Sequence, residues 1–131
     1  MAEATLTADA LNALPPGERR SAIASLVAEP GPGVVTLLSG ALGQSNWPVC
    51  NELADALAEI GGDAAHAALA EALTARRHHV RSAAVKALVR VGGVGVRDAI
   101  ERLADDPSYE VGQDVQEALR RLSSDEGGEA P

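Results

Sequence analysis

Three segments of this chain begin 31 residues apart and agree position by position: VCNELADALAEIG from Val49, VRSAAVKALVRVG from Val80 and VGQDVQEALRRLS from Val111. Equivalent positions hold Leu53, Ala84 and Val115, then Ala56, Ala87 and Ala118, then Leu57, Leu88 and Leu119, and last Ile60, Val91 and Leu122. Apolar offsets of 0, 4, 7, 8 and 11 trace one face of an α-helix, because a period of about 3.6 residues brings those side chains to the same side. One period earlier, ERRSAIASLVAEP is a weaker copy with Ala22 and Leu26 in phase. A second amphipathic helix fits each period, marked by Leu38 and Leu42, Leu69 and Leu73, and Ile100 and Ala104, with Leu11 extending the phase toward the N-terminus. Breakers recur with the helices, at Pro30-Gly31-Pro32-Gly33, Gly61-Gly62 and Gly92-Gly93.

A hairpin of this size has too little apolar surface to close a core alone, so successive hairpins must bury one another in series. The predicted fold is therefore all-α, an α-solenoid of about eight helices in antiparallel hairpins. The spacing predicts helices over 8–14, 18–29, 33–43, 47–60, 63–75, 78–91, 95–105 and 109–122. The composition agrees: 46% of residues are apolar, yet Phe is absent and Met, Trp and Tyr occur once each, so Ala, Val and Leu must form closely approaching helices. Residues 1–122 read as one repeat domain, and 123–131, SSDEGGEAP, as a disordered acidic tail.

The unit V-R-x-A-A-x-x-A-L, then Gly, then a second helix ending in L-x-D, is best matched by residues 80–105. It resembles the short HEAT-like repeats also found in phycobilin lyases, over about residues 18–122. Tetratricopeptide and ankyrin signatures are absent. The resemblance implies a curved array with its second helices along the concave side. A groove there would be lined by Thr36, Ser39 and Gly40, then His66, Ala70 and Glu71, then Arg97, Glu101 and Arg102. The functional expectation is a noncatalytic protein–protein interaction module or scaffold. The alternative is an auxiliary factor resembling the phycobilin lyases, handling a tetrapyrrole or other small ligand in the groove, although few aromatic residues exist to line such a pocket.

Catalytic constellations are not evident. Deoxyhypusine hydroxylases, another HEAT-like family, hold iron through His-Glu pairs, and the equivalent positions here are Asn51-Glu52, Ser82-Ala83 and Gln113-Asp114. None of these pairs has the imidazole that iron would need. A zinc site from His66, His78 and His79 is also not expected, since adjacent helical residues point about 100° apart and do not converge as an i, i+4 pair can. Cys50, the lone cysteine, has no His or acid beside it and reads as a small buried thiol. No cofactor is expected.

Between Ala72 and Arg97 there is no acid, while Arg76, Arg77, Arg81, Lys86, Arg90 and Arg97 supply six positive charges. The remaining chain carries 19 acids against 5 bases. Asn46 and Ser108 are good N-caps for their helices, but their equivalent is Arg77, a cation at a helix N-terminus with no acceptor for the free N–H groups. Two readings follow. The band Arg76, Arg77, His78, His79, Arg81 and Arg97 docks an acidic segment, phosphate or carboxylate of a partner. Alternatively, its arginines pair with acids of adjacent repeats such as Asp63, Asp105 or Asp106.

Trp47, His78 and Tyr109 share one register position. This ladder of rings either projects outward as interface anchors or turns inward to fill gaps between hairpins, the inward or half-buried reading being favoured for Trp47. With His66, Glu71 and Glu101, Trp47 and Tyr109 complete the expected interface residues. The polar side of the last helix, with Gln113, Glu117, Arg120 and Arg121, favours a capped monomer over a dimer. The net charge of −8 disfavours nucleic acid as the partner of the whole surface, and no apolar run reaches spanning length, so a cytoplasmic protein is expected.

Overall fold

The computed structural model describes residues 6–46 and 48–128, with the backbone alone given beyond Ser123. Among the described residues the elements are eight helices and no strand: α1 (Ala8–Ala13), α2 (Pro16–Ala28), α3 (Val34–Gln44), α4 (Val49–Ile60), α5 (Gly62–Ala72), α6 (His78–Val91), α7 (Val96–Glu101) and α8 (Tyr109–Gly128). Two layers result. In the first, α2 packs on α4, α4 on α6 and α6 on α8; in the second, α1 packs on α3 and α3 on α5. The layers are joined where α3 meets α4, α4 meets α5, α5 meets α6 and α7 meets α8. The result is the predicted α-solenoid, each helix packed mainly against its neighbours in the series.

Burial follows the register. Leu53, Ala84 and Val115 are all buried, as are Ala56, Ala87 and Ala118. At the next offset Leu57 and Leu88 are 0% and 1% exposed, whereas Leu26 and Leu119, in the outer first helices, are only partly buried. The second-layer residues Leu11, Leu38, Leu42, Leu69 and Ile100 are fully or almost fully buried and join the same core. The positions are equivalent in sequence, but only the central copies are covered on both sides.

Each hairpin turns through glycine because the backbone leaves the region open to other residues. Gly61 and Gly92 adopt φ of 71° and 70° with ψ of −170° and −160°, a conformation that any Cβ would strain. Both end a first helix at the same point of the repeat.

The largest departures from the expected helix ends are those of α7 and α8, while α5 ends at Ala72 instead of residue 75 and the remaining ends differ by two residues or fewer. α7 stops at Glu101 instead of residue 105, and residues 102–105 tighten into turns, with Leu103 donating to the Ile100 carbonyl and Ala104 to that of Glu101. α8 continues to Gly128 instead of ending at 122, so residues 123–128 of the expected tail are helical in backbone. The sequence supplies no breaker before Gly127-Gly128, and the apolar pattern alone placed the end too early. Residues 129–131 lie outside the described residues.

Candidate binding surfaces and the arginine band

The arginines answer to the repeat. Arg19, Cys50 and Arg81 stand at one register position, and each reaches a carbonyl five residues back: Arg19 donates to Leu14 O (3.4 Å), Cys50 to Ser45 O (3.3 Å) and Arg81 to Arg76 O (3.0 Å). Each donor thereby satisfies backbone acceptors in the connection before its own helix, where the chain has left one helix and not yet begun the next. Arg81 also donates to Ala75 O at 2.9 Å and forms a two-pronged pair with Asp106, Nε to Oδ2 at 2.8 Å and Nη2 to Oδ1 at 2.9 Å. The Arg81 and Asp106 side chains are 13% and 4% exposed, so this pair is shielded from water. Its hydrogen bonds hold the Asp106 carboxyl below the usual range, against a desolvation effect that acts in the opposite direction. Arg19 likewise forks onto Glu52, which raises its pKa above the ordinary guanidinium value.

Arg77 is the N-cap residue of α6, with no side-chain cap bond, as its sequence position implies. Its guanidinium instead reaches one period back and donates to Gln44 O (2.9 Å), Ser45 O (3.2 Å) and Asn46 Oδ1 (3.3 Å). Those carbonyls close α3, the negative end of a helix, where a cation is favourable. The N-terminal misfit at one helix is a C-terminal fit at another. Asn46 is consequently not the N-cap expected of it: α4 begins at Val49 after Pro48, and the Asn46 side chain accepts from Arg77. Ser108 does accept from the Val111 amide, at 3.3 Å.

Further along the band, Arg90 pairs with Asp55 at 2.6 Å, and Arg97 lies 4.0 Å from Glu101 and donates to Ser123. With Arg19–Glu52 and with Ser82 donating to Asp114, Arg90–Asp55 links the first-layer helices in sequence, α2 to α4, α4 to α6 and α6 to α8. Three of the six positions that would hold iron in a hydroxylase, Glu52, Ser82 and Asp114, take part in these links. Arg76 and Lys86 are exposed, and no side-chain partner is found for either among the described residues.

Cys50 is fully buried, and burial pushes its thiol pKa up. We expect it to resist a water-soluble alkylating reagent in the folded protein and to label promptly in denaturant. Labelling at equal rates in both states would contradict this placement.

His78 and His79 come together, contrary to the expectation that neighbours on a helix diverge. Their ring centroids are 4.0 Å apart at an interplanar angle of 48°. Both approach one carboxylate oxygen, Glu110 Oε1 at the start of α8, at 3.6 Å from His78 Nε2 and 3.4 Å from His79 Nδ1. Backbone directions alone do not decide where ring atoms end, because the two torsions of each side chain swing the nitrogens through several ångströms. Glu110 was missed by sequence reasoning, yet the signal was available: it occupies the register position of His79, one period on. His66 lies apart from this group, in the middle of α5.

Of the ring ladder, Tyr109 projects outward at 82% exposure and His78 is exposed. Trp47 lies outside the described residues. Glu71 is exposed and borders an open, shallow groove between α3 and α5, of about 590 Å3, with Thr36, Ser39, Gly40, Ala64 and Ala67. Glu101 is exposed on α7 and is not part of that groove. No described helix is long and apolar enough to cross a membrane.

Comparison with known proteins gives one family match and no matching curated protein or solved structure. The matching family is that of HEAT repeats, whose members commonly mediate protein–protein interaction, and the match spans residues 34–120. It covers α3 to most of α8, the part of the chain whose helices and buried positions recur every 31 residues. The chain belongs to the HEAT repeat family.

Proposed function

We propose that this protein is a noncatalytic interaction module that holds a segment of a protein partner in the groove between α3 and α5. The observation that carries this reading is the groove's lining. Gly40, Ala64 and Ala67 have little or no side chain, so a partner backbone can approach the helices closely, while Thr36, Ser39 and Glu71 offer polar groups to orient it. Glu71 is the charged residue of the wall and favours a basic or hydrogen-bond-donating group on the partner. The lining contains no aromatic ring, which weighs against a tetrapyrrole as the occupant.

A second reading keeps the basic band as the docking site for an acidic segment, supported by the exposure of Arg76 and Lys86. Arg81 and Arg90 are paired with Asp106 and Asp55, and Arg77 is held on carbonyls at the end of α3, which leaves the band fewer guanidinium donors to offer. Affinity isolation from the native host, in parallel for the parent, Ala67→Glu and the double variant Arg76→Glu/Lys86→Glu, distinguishes the two. All three changes fall on exposed positions. The groove reading expects the principal partner to be lost with Ala67→Glu and kept with the double variant. Retention by Ala67→Glu would contradict it, and loss with the double variant alone would favour the band.

A further inference from the structure

We propose that His78, His79 and Glu110 form a binding site for a divalent transition-metal ion, of the zinc class, that bridges α6 to α8. The three side chains each present one donor atom, and these atoms lie within 4.8 Å of one another. Tetrahedral zinc with bonds of about 2.0–2.1 Å to nitrogen and oxygen sets its ligands about 3.3–3.5 Å apart. The observed separations from Glu110 Oε1, 3.4 Å to His79 Nδ1 and 3.6 Å to His78 Nε2, match that edge.

The contact is not already used as a hydrogen bond. His79 Nδ1 is buried as an atom and has no hydrogen-bond partner, although the carboxylate oxygen is only 3.4 Å away, because the ring N–H direction misses it. A nitrogen close to an acceptor but misaligned for a proton is a poor hydrogen-bond donor. With a second imidazole nitrogen and a carboxylate oxygen within 4.8 Å, it suits a cation that all three can share. Two neutral imidazoles and one carboxylate form a borderline-soft donor set that favours zinc, cobalt, nickel or copper over calcium or magnesium. A water would complete a tetrahedron.

Nearby positive charge would oppose a cation; Arg76 is exposed to water, which screens it, and the two arginines nearest the site in sequence are engaged elsewhere. Arg81 is neutralised by Asp106, and Arg77 points back to the carbonyls closing α3. Glu110 brings one negative charge to the ion. The ligands come from successive periods, His79 and Glu110 being register equivalents, so the ion would join two repeats.

The test uses the untagged full chain, since an affinity tag of histidines would bind metal itself. Zinc alone is titrated calorimetrically into the parent and into His79→Ala, Glu110→Gln and His66→Ala. One zinc per chain is expected for the parent and for His66→Ala. His79→Ala and Glu110→Gln should weaken binding by more than about tenfold, the least that loss of even an outer-sphere partner commonly produces. Zinc should also raise the thermal midpoint of the parent and leave that of Glu110→Gln unmoved. The three side chains are 38–47% exposed, so the variants are expected to fold. If His79→Ala does not fold, Glu110→Gln decides, and the ligand-field absorption of cobalt in the parent gives an independent reading of tetrahedral coordination. Absence of saturable binding in the parent, or zinc affinity unchanged in Glu110→Gln, would overturn the proposal.

Discussion

Arg81→Ala is expected to destabilise the folded chain by about 3–5 kcal/mol, the range for removing one partner of a buried ion pair. The loss is large because several groups depend on one guanidinium: both oxygens of Asp106 and the carbonyls of Ala75 and Arg76. In the parent the Asp106 side chain is 4% exposed, so water screens the pair little. The pH dependence has a definite sign. Arg81 holds the Asp106 carboxyl below its ordinary range, so the stabilisation is present above the unfolded carboxylate value and lost as pH falls through the lower folded value. The difference between parent and Arg81→Ala should therefore be full near neutrality and shrink in acid. Urea unfolding at the two pH values measures this. A difference below about 1 kcal/mol at neutral pH, the size of an exposed pair, would contradict it.

The second large effect concerns the core, and it tests the register. Leu57→Ala and Leu88→Ala should each cost about 2–5 kcal/mol, the range for emptying a buried leucine site that relaxes only in part. Leu119→Ala, at the same position of the cycle, should cost clearly less. Leu57 and Leu88 are fully or nearly fully buried between neighbours on both sides, whereas Leu119 belongs to the last described helix and is only partly buried. Chemical denaturation of the three variants checks the ranking. Equal losses at all three would mean that position in the series does not govern burial.

Much of this architecture was legible in the sequence because one physical pattern repeats. The period and the 4, 7 and 8 offsets locate the covered faces of α4, α6 and α8, whereas the position at offset 11 lies at the margin, with Ile60 and Leu122 partly buried and Val91 41% exposed; the recurrent glycines locate the turns. The extent of α7 was not legible. Its apolar pattern runs to Ala104, but the chain leaves the helix at Glu101, and Asp106 is turned to serve Arg81 and the Ser108 amide.

The surface was harder to read than the core. A cation at an N-cap looks like a free anion site until the full reach of its side chain is known, and Arg77 spans a whole period to Gln44 and Ser45. The histidines failed in the opposite direction. Considering His78 and His79 on their own helix predicts divergence, whereas the carboxylate that both approach, that of Glu110, belongs to the following repeat. In a stacked array the partners of a surface residue are commonly about one period away, as the pairs Arg19–Glu52, Arg77–Asn46 and Ser82–Asp114 all illustrate.

The most direct test of the stacked-repeat account is to lengthen the array. Inserting a second copy of residues 49–79 directly after His79 adds one whole period in phase, so each new apolar stripe meets a matching neighbour. Thermal unfolding followed by far-UV circular dichroism should then show increased helical signal and a midpoint no lower than the parent's. A lengthened chain that gains no helix, or melts below the parent, would contradict the account.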